Sequence, residues 1–209
     1  MHFKDRQHAA KQLFPALEKY KGRDVVVYAL PRGGVMLGVE IARHLGAAFD
    51  LLIPRKIGHP YDPEYAIAAV SESGEVIKNE EEHKHIDQQW FAKEMEKELV
   101  EIKRRRQLYL DGRKSVDPKG KIAIIVDDGL ATGLTMKVAI KQLRNQKIKS
   151  IIVAVPVAPA DTAREIGDLA DELIALHVPS GFAAISAYYR DFPQVSDEEV
   201  ISLIKSLEP

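Results

Sequence analysis

Apolar positions come in two rhythms along this chain. Five short stretches are apolar with little polar alternation: Asp24 to Leu30 (DVVVYAL), Ala48 to Arg55, Ile122 to Val126 (IAIIV), Ser150 to Val155 and Glu172 to Leu176. Such runs, bounded by turn residues, predict strands buried on both faces of a parallel sheet. Between them apolar residues recur at spacings of three and four. Asp5 to Tyr20 carries Ala9, Leu13, Ala16, Leu17 and Tyr20, with Pro15 expected to bend or interrupt the helix. That helix reads as a cover, with Lys and Arg on its wet face. Val35 to Leu45 is closed by Gly46 as C-cap, and Leu134 to Arg144 and about Ala160 to Leu169 follow the same period. The β-α-β-α alternation predicts an α/β fold with a doubly wound, mostly parallel sheet and right-handed crossovers.

The pattern changes between about 57 and 119. Gly58 to Pro63 is a turn-rich loop, and Ala66–Val70 with Glu75–Ile77 reads as a hairpin around Ser71–Gly74. Asn79 to Leu110 is strongly polar, yet Ile86, Trp90, Phe91, Met95, Leu99, Ile102, Leu108 and Tyr109 form an apolar stripe on a long helix. The stripe is expected to pack on its own domain, with a homodimer contact as the alternative. Asp111 to Gly120 is a hydrophilic connector. The tail, about 177–209, holds Phe182, Tyr188, Tyr189 and Phe192, then a Ser196–Glu199 capping box that opens a final helix. The whole, 1–209, is expected to form one domain with its core in about 22–56 and 120–176.

Composition narrows the function. The 209 residues carry a formal net charge of −1, which argues against a nucleic-acid coat. There is no cysteine, hence no thiolate metal site and no cysteine nucleophile. No apolar leader opens the chain, and the longest apolar run, Ile151 to Ala160, is too short to span a membrane. A cytoplasmic protein is the expectation. Glu80 to His85 invites a metal reading, but His83 and His85 are two apart and would face different directions on a helix. A charged helix start is the better account. The Lys103–Arg106 run is expected to be a solvated face, or a contribution to a neighbouring subunit's site.

Chemistry concentrates at two strand-to-helix junctions. Ile122–Val126 breaks into Asp127 and Asp128, then a small-residue loop, Gly129-Leu130-Ala131-Thr132-Gly133, before Leu134-Thr135-Met136 opens a helix. Two acids at a strand's carboxyl end suit hydroxyls or a metal, and the loop can hold an anion at a helix N-terminus. The bland account, an ordinary strand-ending turn, leaves the second acid and the Thr-Gly pair unexplained. Pro31-Arg32-Gly33-Gly34 is the second junction. It is neither a Walker A loop, since Val39-Glu40 stands where Lys-Ser/Thr is required, nor a dinucleotide fingerprint, whose spacing fails.

Asp127, Asp128, Thr132, Gly133 and Thr135 resemble the phosphoribosyl-diphosphate (PRPP) signature of the type I phosphoribosyltransferases. Arg32-Gly33-Gly34 is similar to that family's diphosphate loop, and Arg55-Lys56 to a basic pair at the end of its second core strand. The layout over nearly the whole chain resembles a branch of predicted phosphoribosyltransferases of unassigned substrate. The insertion then corresponds to a flap plus long helix, and the tail to a small C-terminal hood that selects the base. The resemblance implies transfer of a 5-phosphoribosyl group from PRPP to a nitrogen acceptor, a nucleobase, with release of diphosphate. It implies that Asp127 and Asp128 take the ribose hydroxyls. Gly129, Leu130, Ala131, Thr132, Gly133, Leu134 and Thr135 would wrap the 5′-phosphate, and Arg32, Gly33, Gly34, Arg55 and Lys56 would meet the diphosphate. It also implies a Mg²⁺ cofactor held mainly through PRPP oxygens, with Asp127 or Asp128 as the protein ligand. His59, Tyr61, Glu64 and Tyr65 are flap candidates for closing over the ligand. One departure stands out: hypoxanthine-guanine enzymes place an acid where this loop has Ala131. Two alternatives stay open, a catalytically silent PRPP-binding regulator and another phosphate-handling α/β enzyme that uses the acids for metal.

Overall fold

The computed structural model describes residues 2–207. Five parallel strands form the main sheet: β1 (Val25–Ala29), β2 (Ala48–Leu51), β6 (Ile122–Val126), β7 (Ser150–Val157) and β8 (Glu172–His177), in the order β2-β1-β6-β7-β8. β1 and β6 are buried at every position, as their unbroken apolar runs require. The register is in phase, with Ala29 beside Val126 at the carboxyl ends of β1 and β6.

Alternate strand residues feed opposite faces. Val25, Val27, Ile122, Ile124 and Val126 meet α1 (Arg6–Leu17) and α2 (Gly33–Leu45). Val26, Tyr28, Ala123, Ile125 and Val153 meet α5 (Leu134–Arg144) and α6 (Ala160–Leu169). α1 accommodates Pro15 within its length, because Asp5 caps its start and its stripe buries Ala9, Leu13 and Leu17. A 3₁₀ turn, Glu18–Tyr20, finishes it.

The insertion departs from expectation, and its first departure is at its start. The second core strand stops at Leu51 instead of continuing to Arg55. Pro54 cannot donate to a ladder, and the chain leaves the main sheet there. Arg55 starts β3 (Arg55–His59), which pairs antiparallel with β4 (Asp62–Val70), itself paired with β5 (Val76–Lys78). The expected hairpin is thus part of a separate three-stranded sheet. A short helix, α3 (Glu80–His83), and the long α4 (Gln88–Leu110) follow, separated where Asp87 caps α4.

The α4 stripe packs inward except for Leu108, which is exposed. Phe91, Ile102 and Tyr109 are buried with Ile57, Ile67 and the last helix, α7 (Asp197–Lys205). α7 lies against α2 and α4, so this part of the tail is not over the strand ends. Arg106 is not on a solvated face. Its guanidinium bonds Asp50 Oδ1 at 3.0 Å, both Glu72 oxygens and Ser115, fastening α4 and the connector to the edge of the sheet. Arg104 and Arg105 both pair with Glu101. No helix among the described residues is long and apolar enough to cross a membrane.

Candidate active site

The strand order reverses between β1 and β6, which is where ligands of open α/β sheets bind. A cleft of about 180 Å³ opens there. Its walls are Leu30 and Pro31 after β1, Pro54 and Lys56 from the start of the insertion, the run Asp127–Gly133 with Thr135 after β6, and Ile185 from the tail.

The loop after β6 is braced from behind. Leu130 N–H donates to Val157 O at 2.9 Å, and Thr162 Oγ1 donates to Ala131 O at 2.7 Å. Gly133, at φ +74°, is the N-cap of α5, and a Cβ there would also meet Thr162 at 2.8 Å. The first N–H groups of α5 have no partners within the helix, so the cleft has donors for an anion.

The acid pair is held asymmetrically. Asp127 is half-buried, and its Oδ1 accepts the Asp128 N–H at 2.8 Å. Asp128 is buried, and its Oδ2 accepts Arg6 Nε at 2.8 Å. Tyr189 Oη donates to the Asp128 carbonyl at 2.6 Å. Burial pushes Asp127 well above the usual carboxylate range, and the Asp128 charge pushes it further; Lys56 and Arg6 only partly oppose this. Burial also raises Asp128, against the pull of Arg6. Two adjacent acids in a shielded cleft therefore resist double ionisation.

Other expected site residues are placed differently. Gly33 and Gly34 pack against the signature strand itself. A Cβ on Gly33 would fall 1.9 Å from Asp128 Oδ2, and one on Gly34 2.7 Å from Val126 O. Arg32 turns its guanidinium to Asp197, at 3.6 Å, and Arg55 bonds Glu98 at 2.5 Å. Neither lines the cleft, whereas Lys56 does. None of His59, Tyr61, Glu64 and Tyr65 lines it either. His59 and Tyr61 lie against each other, and Tyr65 Oη donates to Glu82.

In the tail, Phe182 stacks on Tyr188, while Tyr189 is buried beside Phe3 and Phe192. The tail residue that reaches the cleft is aliphatic Ile185, close enough to Gly129 that a Cβ there would meet it at 2.8 Å. Among the described residues no group of three or more His, Asp or Glu side chains could hold a metal ion. His83 instead meets Lys78 Nζ at 2.7 Å and packs edge-on to Phe91.

With this geometry in place, similarity to known proteins decides the family. The phosphoribosyl transferase domain family model matches residues 3–192. The chain belongs to the phosphoribosyl transferase domain family. Two curated Mycobacterium tuberculosis proteins, named provisionally as phosphoribosyl transferases, are 38% identical to it over 204 residues, covering 97% of this chain. The chain spans about half the length of those relatives, 46%. The crystal structure of TT1426 from Thermus thermophilus is similar throughout, with 37% identity, 99% of each chain covered and a TM-score of 0.82. A Pyrococcus horikoshii purine phosphoribosyltransferase shares the fold at 17% identity and a TM-score of 0.51, over 91% of this chain and 92% of its own.

Arg6 and Ile185 border this cleft and its acid pair, and the sequence reading does not reach them. Arg6 has a legible signal. It stands three before Ala9 and seven before Leu13, so it occupies the buried face of α1. Ile185 has none, because a lone aliphatic residue in a tail has no distinguishing pattern.

Proposed function

We propose that this chain is a phosphoribosyltransferase that binds PRPP with Mg²⁺ in the cleft at the β1–β6 reversal and transfers the 5-phosphoribosyl group to a nitrogen acceptor, a nucleobase. The observation that carries this reading is one cleft that combines a shielded acid pair, a Gly-Thr loop at a helix N-terminus and Lys56. The family match is consistent with it.

The ribose hydroxyls donate to Asp127 and Asp128. The backbone from Gly129 to Thr135 and the Thr132 and Thr135 hydroxyls surround the 5′-phosphate. Lys56 faces the diphosphate. Arg32 and Arg55 join it only by giving up Asp197 and Glu98, and Gly33 and Gly34 serve by letting the β1 loop approach the acids. In the reaction the C1–O bond to diphosphate breaks and a C1–N bond forms, with the acceptor's proton passing to solvent. Positive charge grows on the sugar ring, and an ionised Asp127 near it favours that state. The protein contributes position and electrostatics, with no covalent intermediate.

The donor set suits magnesium. Two hard carboxylates without a third protein ligand among the described residues leave most positions to substrate oxygens and water, as Mg²⁺ prefers. Bound there, it would neutralise the leaving diphosphate. Ala131 leaves the loop without an acid for the base, so Ile185 is the nearest tail contact for an acceptor. The matching setting is nucleotide salvage in the cytoplasm.

The test is incubation with PRPP, Mg²⁺ and a panel of bases, following diphosphate. Base-dependent release supports the transferase. Thermal stabilisation by PRPP without release would replace it with a PRPP-binding regulator. Neither effect would reject both.

A further inference from the structure

A buried arginine from the other end of the chain holds the second acid of the signature. Arg6 is 6% exposed and lies 122 residues from its partner in sequence. Its guanidinium is used on three sides. Nε donates to Asp128 Oδ2 at 2.8 Å, Nη1 donates to Pro193 O at 2.7 Å, and Cζ lies 3.7 Å from the Phe192 ring centroid. The same segment sends Tyr189 Oη to the Asp128 carbonyl, and Phe3 bridges to Tyr189. Asp128 is thus gripped at its carboxylate and its backbone by residues from both ends of the fold. Gly33 leaves the room: a Cβ there would sit 1.9 Å from Asp128 Oδ2 and 3.2 Å from Arg6 Nε. Among the described residues, no such cation is bonded to Asp127, whose carboxylate accepts only the next N–H.

We propose that Arg6 is a positioning residue that divides the labour of the acid pair: it occupies Asp128 Oδ2 and fixes that carboxylate's orientation, so that Asp128 offers the cleft one oxygen while Asp127 remains the free acid. The proposal rests on the PRPP reading above. An arginine is required because only a planar fork can donate from Nε and Nη1 while stacking on Phe192.

The test uses calorimetric titration of PRPP with Mg²⁺ into the wild-type chain, Arg6→Lys, Arg6→Gln, Asp128→Asn and the double variant Arg6→Gln/Asp128→Asn, with urea unfolding of each ligand-free protein. Arg6→Gln is expected to weaken PRPP binding by about tenfold, the size of one lost charge-assisted hydrogen bond. Arg6→Lys recovers part of that loss. In the Asp128→Asn background the Arg6→Gln change costs less than about twofold, since the residue acts through Asp128. A purely structural arginine would instead give the same loss in both backgrounds, which overturns the proposal, as does wild-type binding in Arg6→Gln. Should Arg6→Gln not fold, Arg6→Lys decides: unchanged binding overturns the proposal and weakened binding at an unshifted urea midpoint supports it. No heat from the wild-type chain rejects the PRPP reading and the ligand half of this inference with it. The urea cycle separately tests the ion pair, which requires the double variant to lose less stability than the two single variants together.

Discussion

The two acids of the signature differ in what surrounds them, and the difference sets what each substitution does. Burial and the neighbouring charge raise Asp127 well above the carboxylate range. A group whose folded pKa is raised destabilises the fold as pH rises through that value. Asp127→Asn removes the charge and keeps an acceptor for the Asp128 N–H. It is therefore expected to raise the ligand-free melting temperature at neutral pH while abolishing stabilisation by PRPP, both read in one set of thermal melts. At Gly33 the expected result is opposite. Gly33→Ala drives a methyl into Asp128 Oδ2 and should cost about 1–3 kcal/mol of stability by urea unfolding, the usual range for overpacking. At this scale the sequence was legible wherever residue type and spacing were local. Asp127, Asp128, Thr132, Gly133 and Thr135 form one continuous motif. The period of α1 marks Arg6 as buried but not its partner, and Ile185 and the packing role of Gly33 depend on contacts between distant segments, which no local pattern encodes.

Among the elements, the insertion is tied to the core at two points. Arg106, near the end of α4, neutralises Asp50 and Glu72 together. Arg106→Met leaves buried Asp50 and half-buried Glu72 without their cation, and should destabilise by about 3 kcal/mol in urea unfolding, as expected for a broken, largely buried pair. The turn between β4 and β5 is tied by Glu75. Burial would raise that carboxyl, but bonds from Ser71, Ser73 and Asn145 outweigh it and hold it at about 2, below its ordinary 4.5. A depressed pKa gives stability that is present above 4.5 and lost as pH falls toward about 2. Glu75→Gln should therefore flatten the loss of thermal stability across that acid window without changing its position elsewhere. The buried parallel strands and main helices were readable because their apolar runs and periods are unambiguous. β3 was not. Its residues, Arg55-Lys56-Ile57-Gly58-His59, carry no apolar run, while Leu52 and Ile53 extend the run of β2 past the end of that strand, so only Pro54 marks where the chain changes sheets.

For the whole molecule, the winding of the main sheet places the β1 and β6 loops side by side, and the tail and first helix close around the second acid. The fold class and the location of the cleft follow from the β-α alternation. The arrangement of insertion and tail over it does not, because neither has a period that specifies where it docks. The central claim is that PRPP binds at this reversal point through the acid pair. Calorimetric titration of PRPP with Mg²⁺ into the wild-type chain and into Asp127→Asn tests it most directly. The account predicts saturable binding at one site per chain that is lost in the variant. Absence of heat from the wild-type chain, or binding that survives undiminished in Asp127→Asn, would contradict it.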